Sequence, residues 1–184
     1  MKKEITTLVI HPEDRSTDFL CPIYENVPNK TVIRGGITKF ELLKLFEQHD
    51  RIMMMGHGSP NGLFNRDFPY SGYYIIDEQI VPLIKEKTDT VFIWCNADQF
   101  VKGHNLKGFF SGMFVSEVEE AHYMRVPNPT QSMVDESNNT FSEIVSRHIN
   151  KEIKVMYEQV KQEYGVLTDS NPVASYNHKR IYLV

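Results

Sequence analysis

The sequence predicts an α/β fold in three layers, with a mainly parallel six-stranded sheet flanked by helices. Three observations lead there. Arg51-Ile52-Met53-Met54-Met55 and Thr90-Val91-Phe92-Ile93-Trp94 are continuous apolar runs without in-out alternation, as expected of strands buried on both faces. Such runs alternate along the chain with helical patterns, which is the order βαβ units impose. At 184 residues, 41% hydrophobic and 24% charged, the chain is long enough to bury a core as one domain over 1–184.

The elements follow in order. The first strand is expected at Ile5–Ile10 and the second at Thr31–Arg34, stopped by Gly35-Gly36. Thr38-x-x-Glu41 has capping-box spacing and starts a helix with Phe40, Leu43 and Phe46 on one face. The third strand ends at His57. Between Ser59 and Ile76, glycines and prolines flank short apolar pieces and predict a small hairpin projecting from the sheet edge. Asp77 caps a helix running to about Lys87, with Pro82 near its start. The fourth strand delivers Cys95, and Gly112–Ser116 is expected to be the fifth. His122–Asn139, rich in Pro, Asn and Ser, reads as loop. Phe141, Val145, Ile149, Ile153, Met156, Val160 and Tyr164 recur at steps of three and four and predict one long amphipathic helix ended by Gly165. Arg180–Val184 is the expected sixth strand.

Composition narrows the function. A net charge of -4, with no block of Lys or Arg, argues against a nucleic-acid or anionic-membrane surface. No run approaches the ~18 apolar residues of a membrane span, and Leu8-Val9-Ile10 is too short for a signal segment, so the expected location is cytoplasmic. The two cysteines, Cys21 and Cys95, are then expected as free thiols, with Cys21 in core packing. No C-x-x-C, H-E-x-x-H or phosphate-binding glycine loop is present, and no metal or cofactor is expected. Glu119-x-x-His122 and His148-x-x-x-Glu152 have suggestive spacings, but chance and a helix-surface pair account for them. Met53-Met54-Met55 reads as core filling. Tyr70, Tyr73 and Tyr74 could line a groove or pack a hairpin face.

Residues just past parallel strands lie at the carboxyl edge of the sheet, where open α/β folds place ligands. His57-Gly58 follows the third strand and Cys95-Asn96 the fourth. If those strands are neighbours, the imidazole and thiol face one crevice, which is the layout of a thiol nucleophile with its base.

This order of elements resembles the caspase-like superfamily of cysteine peptidases: His57-Gly58 after strand three, a hairpin with Asn61-Gly62, Cys95 after strand four, then a glycine-containing strand. The resemblance covers roughly residues 5 to 120. It implies a caspase-type order of six principal strands, a catalytic dyad of His57 and Cys95, and an oxyanion hole from the backbone N–H groups of Gly58 and Cys95. A caspase carries Gln-Ala-Cys at the nucleophile, with the histidine ~50 residues upstream. Here the sequence is Ile93-Trp94-Cys95 and the separation is 38 residues, which excludes a close caspase and points to bacterial CHAT-, gingipain- or clostripain-like members. The implied activity is an endopeptidase acting on peptide or protein substrates. A noncatalytic binding or scaffold domain that keeps the fold is the alternative.

Carboxylates at the expected edge, Glu13, Asp14, Asp98, Glu117 and Glu119, suggest a substrate pocket favouring a basic residue, with Asp14, Asp98 and Glu117 as its candidate residues. Solvated loop acids are the equal alternative, and Arg15, Arg34 and Lys102 are the nearby cations.

Overall fold

The computed structural model describes residues 4–66 and 74–184. In chain order the elements are β1 (Thr7–Ile10), a 3₁₀ turn (Arg15–Leu20), α1 (Cys21–Glu25), β2 (Lys30–Ile33), α2 (Lys39–Gln48), β3 (Arg51–Met55), β4 (Gly58–Ser59), β5 (Gly62–Phe64) and β6 (Tyr74–Ile76). A 3₁₀ turn at Glu78–Ile80 leads to α3 (Val81–Ile84), β7 (Thr88–Ile93), α4 (Ala97–Gly103), β8 (Phe109–Ser111), α5 (Val118–Tyr123), α6 (Gln131–His148), α7 (Ile153–Gly165), α8 (Pro172–His178) and β9 (Ile181–Leu183).

Six strands form the main sheet in the order β2-β1-β3-β7-β8-β9. All neighbours are parallel except β8 and β9, which are antiparallel. The apolar runs are continuous because each strand is covered twice. Val9, Met53, Met55, Val91, Ile93 and Phe109 pack against α1, α6 and α7 through Ile23, Phe141, Val145, Met156 and Val160. Leu8, Ile10, Ile52, Met54, Phe92 and Phe110 pack against α2, α3 and α4 through Leu42, Phe46, Ile84, Phe100 and Val101. The second layer also receives Leu63, Ile75 and Ile76 from a small antiparallel sheet, β4-β5-β6. Each such side chain removed from water contributes about 1.5–3 kcal/mol, which is why these runs tolerate no polar residue on either face.

Several expectations shift. The fifth strand is Phe109–Ser111, so Gly112–Ser116 is the segment that leaves the sheet. The Pro/Asn/Ser-rich stretch is loop only in part, because Thr130 caps α6, which starts at Gln131 and buries Val134, Ser137 and Asn138. Polar composition concealed it: Ser137 is buried only because it shares a hydrogen bond with Tyr164 and Asn177. The long amphipathic pattern is two helices, α6 and α7, with Ile149–Glu152 turning between them. Their hydrophobic stripes keep nearly the same phase across the turn, so periodicity alone reads through it. At α2 the capping box forms as predicted, but Leu42 and Phe46 are the buried residues and Phe40 is 66% exposed, under Lys44. His148 is buried and pairs with Glu163 of α7 at 2.6 Å, not with Glu152. The predicted hairpin is the β4-β5-β6 sheet, and Tyr70 and Tyr73 lie outside the described residues. No helix among the described residues is long and apolar enough to cross a membrane.

Past β1 the chain buries a polar network. Arg34 Nη1 donates to His11 Nδ1 at 2.9 Å, so His11 carries its hydrogen on Nε2 and donates it to Thr17 Oγ1 at 3.1 Å. Arg34 also reaches Tyr24, Cys21 and Asp18. Cys21 is thus half-buried and polar in its contacts, a correction to simple core packing. Burial first, and the Arg34 charge second, push the His11 pKa down to about 4. Between that value and the ordinary 6.5 of an unfolded histidine, the unfolded chain binds more protons than the folded one. Stability should therefore be present above pH 6.5 and fall as pH drops through the window, by about 3 kcal/mol. Urea unfolding of wild type and His11→Asn at pH 7 and pH 4.5 checks this: equal losses in both proteins would refute it.

Candidate active site

Three chain segments meet at the carboxyl edge of the parallel strands. Met55 of β3 stands opposite Ile93 of β7, so the strands carrying His57 and Cys95 are immediate neighbours. The two residues line one cavity of about 20 Å³, together with Thr17, Phe19, Phe114 and Ser116. That volume is about one water molecule's room. A peptide group enters only after a wall such as Phe19, stacked on Phe114, moves aside.

The path into His57 is set by glycines. Gly56 sits at φ +136, where a side chain is strained. Gly58 is demanded by space: a Cβ there would lie 2.2 Å from Trp94 Cδ1 and 2.6 Å from Gly62 O. Trp94 closes the contact by donating from Nε1 to Ser59 O at 3.1 Å. The Phe64 N–H donates to His57 O, which makes His57 and Phe64 a hydrogen-bonded pair of the hairpin. Antiparallel pairs alternate, so the next pair, Gly58 with Leu63, is a non-hydrogen-bonded one. The Gly58 N–H therefore points away from β5.

His57 is oriented by the turn after β1. Asp14 caps the 3₁₀ turn by accepting from Ser16 N at 2.9 Å and Ser16 Oγ at 2.8 Å. Ser16 Oγ lies 2.6 Å from His57 Nε2, and Asp14 Oδ2 lies 3.8 Å from the same nitrogen. Burial opposes ionisation of Asp14, but the Ser16 hydrogen bonds and the neighbouring histidines outweigh it and hold the carboxyl below its usual range. Asp14 is thus a carboxylate, and the single Ser16 hydroxyl proton goes to it. His57 Nε2 then carries a hydrogen and donates to Ser16 Oγ, leaving Nδ1 as the lone-pair nitrogen of the neutral ring.

Cys95 occupies the turn between β7 and α4. Trp94 O accepts from Ala97 N at 3.1 Å, and Asn96 takes a left-handed conformation, φ 66 and ψ 26, that asparagine tolerates well. The Cys95 thiol donates to Phe114 O at 3.5 Å. Burial pushes its pKa up to about 12, and the charges of Glu120 and Glu117 add to the effect. At neutral pH it is a thiol, not a thiolate.

Of the predicted pocket residues, Asp14 is brought to His57, and Glu117 lines a larger cavity beside it. Asp98 is not brought in. The chain turns back at Asn96, α4 packs on the other face of the sheet, and Asp98 pairs with Lys102 at 3.5 Å. Arg34 is held in the His11 network and Glu13 pairs with Arg66, so neither is free for a ligand. Among the described residues no group of three His, Cys, Asp or Glu is arranged to hold a metal ion. Ser16 was missed by the sequence reading; its signal is Asp14-x-Ser16, the spacing of a capped turn. No protein-family model matches the chain, and no curated protein matches it.

The protonated state of Cys95 has a measurable consequence. Alkylation of Cys95 by iodoacetamide in the free protein should rise about tenfold per pH unit from pH 7 to 10, because only the thiolate reacts and its fraction grows in proportion. Site-resolved mass spectrometry gives the profile. A plateau below pH 9 would mean a resting thiolate–imidazolium pair instead.

Proposed function

We propose that the chain is a cysteine peptidase with a caspase-like fold, hydrolysing peptide bonds through Cys95 and His57. The observation that carries this is their placement at the ends of adjacent parallel strands, on one cavity. Counted among the main-sheet strands, the order is 2-1-3-4-5-6 with the last strand antiparallel, which supports the fold assignment. Because Cys95 rests as a thiol, His57 acts as a general base. As sulfur attacks the carbonyl carbon, the thiol proton passes to His57 Nδ1 and the carbonyl π electrons move to oxygen. The N–H groups of Gly58 and Cys95 are the donors for that oxyanion. Collapse expels the amine, which takes the proton from His57, and water then hydrolyses the thioester. Ser16 and Asp14 hold the ring and favour its charged form in the transition state.

The second reading is a noncatalytic binding domain. It is favoured by the small closed cavity and the thiol tied to Phe114 O. A peptide-library cleavage profile separates the two. Cys95→Ala should abolish turnover, and His57→Ala should lower kcat by about 10³-fold. Ser16→Ala should lower kcat about tenfold with KM nearly unchanged, since it positions the base. Cys21→Ala should leave turnover nearly intact. No cleavage of any peptide by the wild type, or full activity in Cys95→Ala, would move the assignment to the binding domain.

A further inference from the structure

A cavity of about 390 Å³ lies beside the dyad and shares Phe19 and Ser116 with the small cavity of Cys95. Ser16, the hydrogen-bond partner of His57, also lines it. Its volume is in the range of small-molecule sites. Three carboxylates face it, Glu117, Glu119 and Asp135, against one cation, Arg15. Glu120 stands behind them, its carboxylate already accepting from Ser116 N and Oγ.

Acidic side chains alone would be only a solvated surface. The second observation is Asn138 of α6, which lines the same cavity and is 6% exposed. Its Nδ2 donates to Ser116 O at 2.9 Å, but its Oδ1 accepts from nothing among the described residues. A buried carbonyl oxygen without a donor costs about 1–3 kcal/mol, and a ligand N–H would remove that cost. The lining is rich in acceptors and calls for a cationic, multiply donating group. A bare divalent ion is disfavoured, because no three carboxylates converge here as metal ligands. A planar guanidinium can instead reach spread acceptors with its five N–H groups.

We propose that this cavity binds a guanidinium or alkylammonium group, with Asp135, Glu117 and Asn138 Oδ1 as its acceptors. Taken with the peptidase reading, on which this part rests, it is the subsite for an Arg or Lys side chain of the substrate. The sequence expectation of a basic preference thereby moves from Asp14, Asp98 and Glu117 to a set in which only Glu117 remains.

The test uses agmatine, which carries the guanidinium without a peptide bond, and the uncharged N-butylurea as control. Both are titrated into the full chain carrying Cys95→Ala, followed by amide chemical shifts. Agmatine should give saturable shifts at residues 116–119 and 135–139, and N-butylurea none. Asp135→Asn and Glu117→Gln, both exposed positions that leave the core untouched, should each weaken agmatine about fivefold, as expected for solvent-exposed charges. No saturable shift, equal binding of the urea, unchanged affinity in the double variant, or the same shifts from calcium at lower concentration would overturn the site. Matched fluorogenic peptides ending in Arg, Lys, Asp and Asn form the second arm. Agmatine binding without cleavage of any peptide means that the peptidase reading fails while the cation site stands. Cleavage without an Arg or Lys preference, and without agmatine binding, means the reverse.

Discussion

The contact between Trp94 and Gly58 holds together what the rest of the edge requires. The indole lies against a backbone that has no Cβ, and its Nε1–H bonds to Ser59 O, so the end of β7 and the start of the hairpin form one unit. Without it, His57 would be carried by a two-residue strand whose only other anchor is β5. Any side chain at position 58 would push the hairpin from the strand that bears the thiol. Glycine there is required by packing whether or not its N–H has a chemical role, so the His-Gly pair has a structural reason independent of catalysis.

Protonation at the edge is arranged as a division of labour. On the β1 side, Asp14 is kept ionised and Ser16 passes its influence to His57 Nε2. On the β8 side, burial and the Glu117 and Glu120 charges keep the Cys95 proton in place. The same acidic segment that discourages a resting thiolate also faces the large cavity. A cation arriving there would offset that negative field and lower the energy of the sulfur anion, so ligand binding and nucleophile ionisation act in the same direction.

The sheet was legible in the sequence because double burial writes itself as uninterrupted apolar runs, at Leu8-Val9-Ile10, at Ile52 to Met55 and at Val91 to Trp94. The capping box at Thr38 and Glu41 was legible because it is a local rule. Elements whose burial depends on distant partners were not. The start of α6 buries Ser137 and Asn138 through hydrogen bonds to Tyr164, Asn177 and Ser116, contacts that no window of sequence contains. At the site, His57 and Cys95 were found from strand ends alone. Ser16 was not, because it reaches His57 across 41 residues of sequence separation. Asp98 was misplaced because the direction taken after Asn96 is set by which face of the sheet α4 covers.

Three consecutive methionines form most of β3, Met53 and Met55 facing one layer and Met54 the other. Methionine is unbranched and its thioether is easily deformed, so it fills space without insisting on one shape. The strand that ends in His57 is therefore seated, on both sides, in the most compliant apolar packing that the twenty amino acids offer. A branched set such as Ile and Val would hold the strand as a rigid rail, whereas this one lets it slide by small amounts at little cost in rotamer strain. The edge that must widen around its small cavity thus rests on a cushioned bearing, and resistance to opening falls on the aromatic wall of Phe19 and Phe114 rather than on the sheet.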